Sequence, residues 1–293
     1  MRVFITGATG LIGSAVTAEL LSAGHTVTAL TRSDASAVRA ASAGADILRG
    51  GLSDLEILRS GAEQADGVIH LAFSNDFSSP ETLARGIAEE SAALATLGAS
   101  LVGTGKPLVT VSGTPRVFGR ASTEDDPLPT DGPVGGRGVS VIRTLELASE
   151  DVRSSAVRLP RTVHNQGKGG FAEILTQSAR QAGIAGYPGD GAQRWPAVHA
   201  LDAAVLFRLA LEKAPAGSSW HAVADEGDTV RDIVTVIGRR LGLPVKSLPV
   251  EDFGPLGPVF AADQPASAAR TRAELGWQPT RPSLLADLEN IEA

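Results

Sequence analysis

The 293-residue chain is long enough for one large α/β domain or a domain with a smaller lobe, and 43% hydrophobic content with 33 glycines can fill a sizeable core. A formal charge of −7 without an offsetting basic cluster argues against a nucleic-acid surface, and the absence of cysteine excludes disulfides and thiolate metal sites. No apolar run approaches the roughly 18 residues of a membrane span, and a first strand that starts at Arg2 leaves no room for a signal peptide, so a cytoplasmic protein without membrane partners is expected.

The chain opens with the apolar run Val3-Phe4-Ile5, the turn Thr6-Gly7-Ala8-Thr9-Gly10, and an amphipathic segment carrying Leu11, Ile12, Ala15, Val16 and Leu20. That order is strand, glycine turn, helix. Gly7 and Gly10 permit backbone conformations and close approaches that a Cβ would block, and Gly13 lets the helix lie tightly on the strand. The helix N-terminus then offers free N–H groups and a positive dipole end to a phosphate. This context makes the glycine pattern a dinucleotide site, with Gly7, Thr9, Gly10, Leu11, Ile12 and Gly13 around the pyrophosphate.

Residues 25–30 form the second strand, which runs into Thr31-Arg32-Ser33 with no carboxylate before Asp34. An NAD site usually carries an acidic residue here for the ribose 2′-OH, and such a residue would repel a 2′-phosphate. A guanidinium binds that phosphate through paired charge-assisted hydrogen bonds, and neighbouring hydroxyls add donors. Arg32 and Ser33 therefore favour NADP(H) over NAD(H).

Further buried strands are expected at 45–48, 67–71 and 107–111, with a short helix at 55–60 and a long amphipathic helix at 80–102. Residues 132–138 read as loop, 139–151 as helix, and 155–159 as a strand that Pro160 ends. Strands alternating with helices specify a doubly wound parallel Rossmann sheet of the α/β class. Beyond 160 glycine and proline become frequent, which points to site-building loops over 161–196. Helices follow at 203–213 and 229–241, the second stopped by Gly242 and Pro244. The expected division is a nucleotide-binding domain over 1–163 and mostly a smaller substrate lobe over 164–293, with some segments returning to the sheet.

The glycine turn resembles the cofactor loop of the extended short-chain dehydrogenase/reductase superfamily, which includes NAD(P)-dependent epimerases and dehydratases. The resemblance continues at Val68-Ile69-His70-Leu71-Ala72, at Val111-Ser112-Gly113-Thr114-Pro115-Arg116-Val117-Phe118-Gly119, at Val157-Arg158-Leu159-Pro160, and at Arg194-Trp195-Pro196-Ala197-Val198-His199 with Leu201-Asp202. It implies that Leu71, Ala72 and Leu159 flank the cofactor and that Leu52 walls the adenine, Gly51 standing where an aspartate is common. It also implies a homodimer through the long helix and the helix after Val139.

The chain departs from the family at its usual tyrosine–lysine pair. Thr114 matches the family's hydroxyl position, which puts Val139 at the tyrosine and Arg143 at the lysine. The single tyrosine, Tyr187, lies far outside that window. A positioned acid contributes about 10²–10⁴-fold to such a reaction, so its replacement matters. Thr114 and Arg143 are the first catalytic candidates, for the oxyanion and for positive charge or the nicotinamide ribose. His164, at the expected C-terminal edge of the sheet, and Tyr187 are substitute proton donors, and His199 is a weaker one. Glu124-Asp125-Asp126 lacks a histidine partner, so no metal is expected.

The expected activity is NADPH-dependent hydride transfer to or from a small or medium carbonyl or alcohol. Two alternatives stay open: a non-catalytic NADP(H)-binding redox sensor or scaffold, and a sugar-nucleotide epimerase or dehydratase.

Overall fold

The computed structural model describes residues 1–74 and 76–292. Apolar strands near the N-terminus alternate with amphipathic helices: β1 (Arg2–Thr6), α1 (Leu11–Ser22), β2 (Thr26–Thr31), α2 (Asp34–Ser42), β3 (Asp46–Arg49), α3 (Leu55–Gln64) and β4 (Gly67–His70). Next come α4 (Pro80–Ala99), β5 (Pro107–Gly113), α5 (Gly135–Glu146) and β6 (Arg153–Leu159). Ser79 caps α4, its hydroxyl accepting from the Thr82 N–H at 3.2 Å, and Pro80 takes the first helical position, where a missing N–H is harmless.

The second half is less regular. It contains β7 (Thr162–His164), α6 (Gly170–Ala182), β8 (Ala185–Pro188), β9 (Arg194–His199), α7 (Ala200–Lys213), β10 (Ser218–His221), β11 (Asp225–Thr229), α8 (Val230–Leu241) and β12 (Val245–Leu248). Seven parallel strands form the main sheet in the order β3-β2-β1-β4-β5-β6-β10. The order reverses at β1, and ligands of open α/β sheets bind at that crevice, beyond the strand C-termini. β11-β9-β7 and β12-β8 make two smaller sheets.

Helices cover both faces of the main sheet, so its central strands are apolar throughout: Val3, Phe4, Ile5, Val68, Ile69, Leu108 and Val109 are all buried. One core runs from Val3, Val16 and Leu20 through Leu206 and Phe207 of α7 to Trp220 and Trp277. Residues far beyond 163 thus complete the core of the main sheet. A second core, around Trp195, Leu175, Ile233, Val234 and Phe260, belongs to the smaller sheets.

Several boundaries differ from the sequence reading: α3 runs on to Gln64, β6 starts at Arg153, α7 starts at Ala200 and α5 ends at Glu146. Helix α4 stops at Ala99, before the expected 102. Helix α5 begins at Gly135, inside the stretch that reads as loop. Its glycines serve close packing: a Cβ on Gly135 would stand 2.5 Å from the Thr130 carbonyl, and one on Gly138 would stand 2.0 Å from the Pro129 oxygen. That four-residue shift of the helix start changes which side chains reach the crevice.

Candidate active site

The turn between β1 and α1 is a close-packed cradle. Gly7 has φ +77°, and a Cβ there would lie 2.8 Å from the Ala72 nitrogen. A Cβ on Gly13 would stand 1.9 Å from the Gly7 oxygen, so only glycine lets the helix approach. Gly10, the N-cap of α1, has no side chain to occupy the first helical N–H groups, which leaves them for an anion. Beneath the turn, the Leu71 and Ala72 N–H groups both donate to Thr6 Oγ1 at 3.2 Å. The Thr6 hydroxyl proton is then directed to His70 Nδ1, 2.9 Å away, which places the imidazole hydrogen on Nε2. Burial, with a smaller push from the Arg137 cation, lowers His70 to about 3, so it is a neutral strut.

A cavity of about 660 Å³ opens on the β2 side of this turn. Gly7, Thr9, Gly10, Leu52, Leu71 and Ala72 line it, as do Arg32 and Ser33. Ser33 also caps α2, its hydroxyl accepting from the Ser36 N–H at 3.2 Å. Arg39, one helical turn beyond Ser36, adds a second guanidinium to the same wall. Among the described residues neither Arg32 nor Arg39 is paired with a carboxylate. The acid nearest in sequence is drawn off, since Asp34 bonds Arg49 at 2.7 Å. Asp54 fixes the loop after β3 by accepting the Gly51 N–H at 2.7 Å.

A second cavity, about 480 Å³, lies on the other side and shares Gly7, Gly10, Leu71 and Phe73 with the first. Leu11, Ile12, Gly13, Ser112, Leu159 and two arginines, Arg137 and Arg161, line it. Arg137 donates from Nε and Nη2 to the two oxygens of Glu90, both at 2.8 Å, and its guanidinium lies 3.9 Å over the Phe73 ring. Arg161 instead bonds neutral oxygens, those of Gln264 and the Val259 carbonyl. Neither arginine stood out in the sequence, where Arg137 lay in an apparent loop and Arg161 in a run of irregular residues.

The sequence-derived catalytic candidates do not converge on this cavity. Thr114 is buried; its N–H donates to the Leu159 oxygen at 2.9 Å and its carbonyl accepts from Gln264. Its hydroxyl has no partner among the described residues, while Ser112, two positions earlier, lines the cavity. Arg143 is exposed on α5. Six residues at about 100° each put it roughly 120° around the helix from Arg137. His164 is buried with Nδ1 2.8 Å from Asp287, and its ring meets His199 edge-on at 5.3 Å. His199 caps α7, Nδ1 accepting the Leu201 N–H at 3.2 Å, and burial followed by the His164 charge lowers its pKa. Tyr187 sits in β8 beside Gly191 and Arg231, in the smaller sheet. None of Arg143, His164, His199 and Tyr187 lines either cavity. Glu124 accepts the Thr271 N–H and hydroxyl at 2.9 and 2.6 Å, and no metal-ligating cluster occurs among the described residues.

The sequence profile of the NAD dependent epimerase/dehydratase family matches residues 3–223. Two uncharacterised yeast proteins are similar over 98% of each chain, C2A9.02 of Schizosaccharomyces pombe at 42% identity and YLL056C of Saccharomyces cerevisiae at 43%. A 3-diazoavenalumate denitrifying reductase of a Streptomyces species is 30% identical over 97% of each chain. Among solved structures, the dTDP-glucose 4,6-dehydratase DesIV of Streptomyces venezuelae, bound to NAD, superposes with a TM-score of 0.79 at 19% identity, covering 99% of this chain and 95% of its own.

Proposed function

From the premise that the chain belongs to the NAD-dependent epimerase/dehydratase family, we propose that it is an NADPH-dependent oxidoreductase acting on a small or medium carbonyl compound or its alcohol. The observation that carries the cofactor choice is the pair Arg32 and Arg39, two guanidiniums on one cavity wall without carboxylate partners among the described residues. A 2′-phosphate supplies the missing charge. The glycine cradle fits the rest of a dinucleotide, because a Cβ at Gly7 or Gly13 would collide with backbone where the pyrophosphate must approach.

Gly7, Thr9, Gly10, Leu11, Ile12 and Gly13 hold the pyrophosphate, Leu52 walls the adenine, and Leu71, Ala72 and Leu159 flank the path to the second cavity. The nicotinamide supplies or accepts hydride when bound. Ser112 hydrogen-bonds a substrate oxygen in this reading, and Arg137, oriented by Glu90, offers its remaining guanidinium N–H donors on the same cavity. Arginine stays protonated at neutral pH, so it stabilises negative charge and does not shuttle protons. Thr114 supports this edge from behind through its two backbone hydrogen bonds. The reductase among the relatives agrees with reduction as the overall chemistry.

NADPH and NADH binding, followed by NADPH consumption over a panel of aldehydes and ketones, tests the proposal. Equal affinity for the two cofactors discards the NADPH assignment. Tight NADPH binding with no turnover across the panel replaces the enzyme by a redox sensor. We further propose a homodimer through the outer face of α4, where Ala84, Ala88, Ala92, Ala95 and Ala99 are exposed. A monomer mass by light scattering at micromolar concentration discards it.

A further inference from the structure

Arg161 stands two residues beyond the end of β6 and lines the second cavity. A guanidinium carries five N–H hydrogens. Three are used: Nε and Nη2 donate to Gln264 Oε1 at 3.0 and 2.8 Å, and Nη1 donates to the Val259 carbonyl at 2.9 Å. Two remain, one on each terminal nitrogen. One free N–H on each terminal nitrogen can serve the two oxygens of a carboxylate.

The charge is unmatched as well. Both acceptor oxygens, Gln264 Oε1 and the Val259 carbonyl, are neutral, and no aspartate or glutamate lines the cavity. The rings of Phe171 and Trp195, with centroids 5.4 and 5.6 Å from the guanidinium carbon, brace the group without cancelling its charge. Burial and the nearby Arg116 cation lower Arg161 to about 10, which still leaves it cationic at neutral pH. Arg137 differs in having its own carboxylate, Glu90. A buried cation held by neutral acceptors and open on its remaining edge is a site completed by an anion.

We infer that Arg161 anchors a carboxylate on the substrate, so that the reacting compound is a small organic acid. The inference deepens the oxidoreductase reading and rests on it for the substrate's role. The size of the space agrees. A cavity of about 480 Å³ that must also take the nicotinamide end accommodates a single-ring or short-chain acid. Ser112 and Arg137, on the same cavity, then face the reacting end of a compound held by its carboxylate at Arg161.

The test is calorimetric titration of the NADP⁺-loaded protein with benzoate and with benzamide at equal ionic strength. The acid is expected to bind about tenfold tighter or better than the amide. Arg161→Met should erase that preference while NADP⁺ affinity holds, and Arg161→Lys, which keeps the charge, should retain part of it. Equal binding of the two probes, no binding of either, or a preference that survives Arg161→Met overturns the inference. A fall in NADP⁺ affinity without loss of the acid preference also overturns it, since Arg161 would then serve the cofactor. Should the methionine variant not fold, the unmutated protein's acid-to-amide ratio decides alone. Turnover of 4-carboxybenzaldehyde against its methyl ester separates the two readings. Equal rates refute the carboxylate anchor and leave the oxidoreductase, whereas benzoate binding with no turnover of any carbonyl refutes the oxidoreductase and leaves the anchor.

Discussion

Arg137 and Glu90 join α5 to α4 through two 2.8 Å hydrogen bonds, and this pair holds a guanidinium over the Phe73 ring at the edge of the second cavity. Glu90 is buried, so its negative charge is tolerated only with the arginine in place. Arg137 is nearly a third exposed, which reduces the energy at stake. Glu90→Gln is expected to cost about 1–2 kcal/mol of stability, below the range for breaking a fully buried pair. It should also lower turnover through a misplaced Arg137 with little change in NADPH affinity. Thermal denaturation and steady-state kinetics check both, and unchanged kinetics would remove Arg137 from the site.

Cofactor discrimination is predicted to lie in Arg32 and Arg39. Arg32→Ala should weaken NADPH binding by about 1.5–3 kcal/mol, the scale of hydrogen bonds to a charged group, and leave NADH binding nearly unchanged. Arg39→Ala should act in the same direction. Fluorescence titration with both cofactors measures the four affinities, and a parallel loss for NADH would mean that the arginines hold something other than the 2′-phosphate.

Gly13→Ala tests the cradle itself. The added methyl would stand 1.9 Å from the Gly7 oxygen, a backbone atom that cannot rotate away. Helix α1 must then back off the turn, which is expected to abolish measurable binding of either dinucleotide. Wild-type affinity in this variant would show that the helix has room to move.

The sequence made some of this legible and hid the rest for physical reasons. Gly7, Gly10 and Gly13 were readable because strand, turn and helix are contiguous, and the same holds for Arg32 at the end of β2. Arg137 was hidden because Gly135 and Gly138 look like loop residues, yet they serve the tight approach of α5 to residues 129–130. Counting from Thr114 along the family pattern favoured Arg143, which is exposed on α5 and does not line the cavity. Arg39 had a usable signal: it lies one turn beyond Ser36 on a helix that starts at the cofactor edge. Glu90 and Arg161 had none, since their partners come from distant segments. β7, β8 and β10 to β12 have three to five residues each, too short for a period to show. His164 carried the right chemistry for a proton donor, but Asp287, 123 residues later, takes its nitrogen.

At the oxygen-binding edge, Ser112→Ala is expected to reduce turnover more than Thr114→Ala. Ser112 lines the cavity, whereas the Thr114 hydroxyl is buried behind it. Loss of a donor to a developing oxyanion costs roughly 2.7–4 kcal/mol of barrier. Single-turnover rates at saturating NADPH isolate the effect. A larger loss in Thr114→Ala would return the role to the threonine that the family resemblance favours.

Acid stability should carry the mark of His70. Burial lowers its pKa from the ordinary 6.5 to about 3, so between those values the unfolded chain takes up a proton that the folded protein refuses. The resulting stability is complete above pH 6.5 and is lost progressively as pH falls toward 3. At pH 5 the loss from this one group amounts to about 2 kcal/mol. His221, lowered to about 4 chiefly by burial, acts in the same direction. Asp228 opposes them: burial and the Asp225 carboxylate push it up to about 6, so it favours the folded state as pH drops from 6 toward the ordinary carboxylate range. The native protein's pH profile is therefore a balance, and the informative quantity is a difference. In His70→Asn, whose amide oxygen can still accept the Thr6 proton, the stability lost between pH 7.5 and 5 should shrink by about 2 kcal/mol. Urea denaturation of both proteins at the two pH values gives that difference directly. An identical loss in the variant would mean that the folded chain protonates His70 as readily as the unfolded one, and the strut under Leu71 and Ala72 would then become a cation as pH falls.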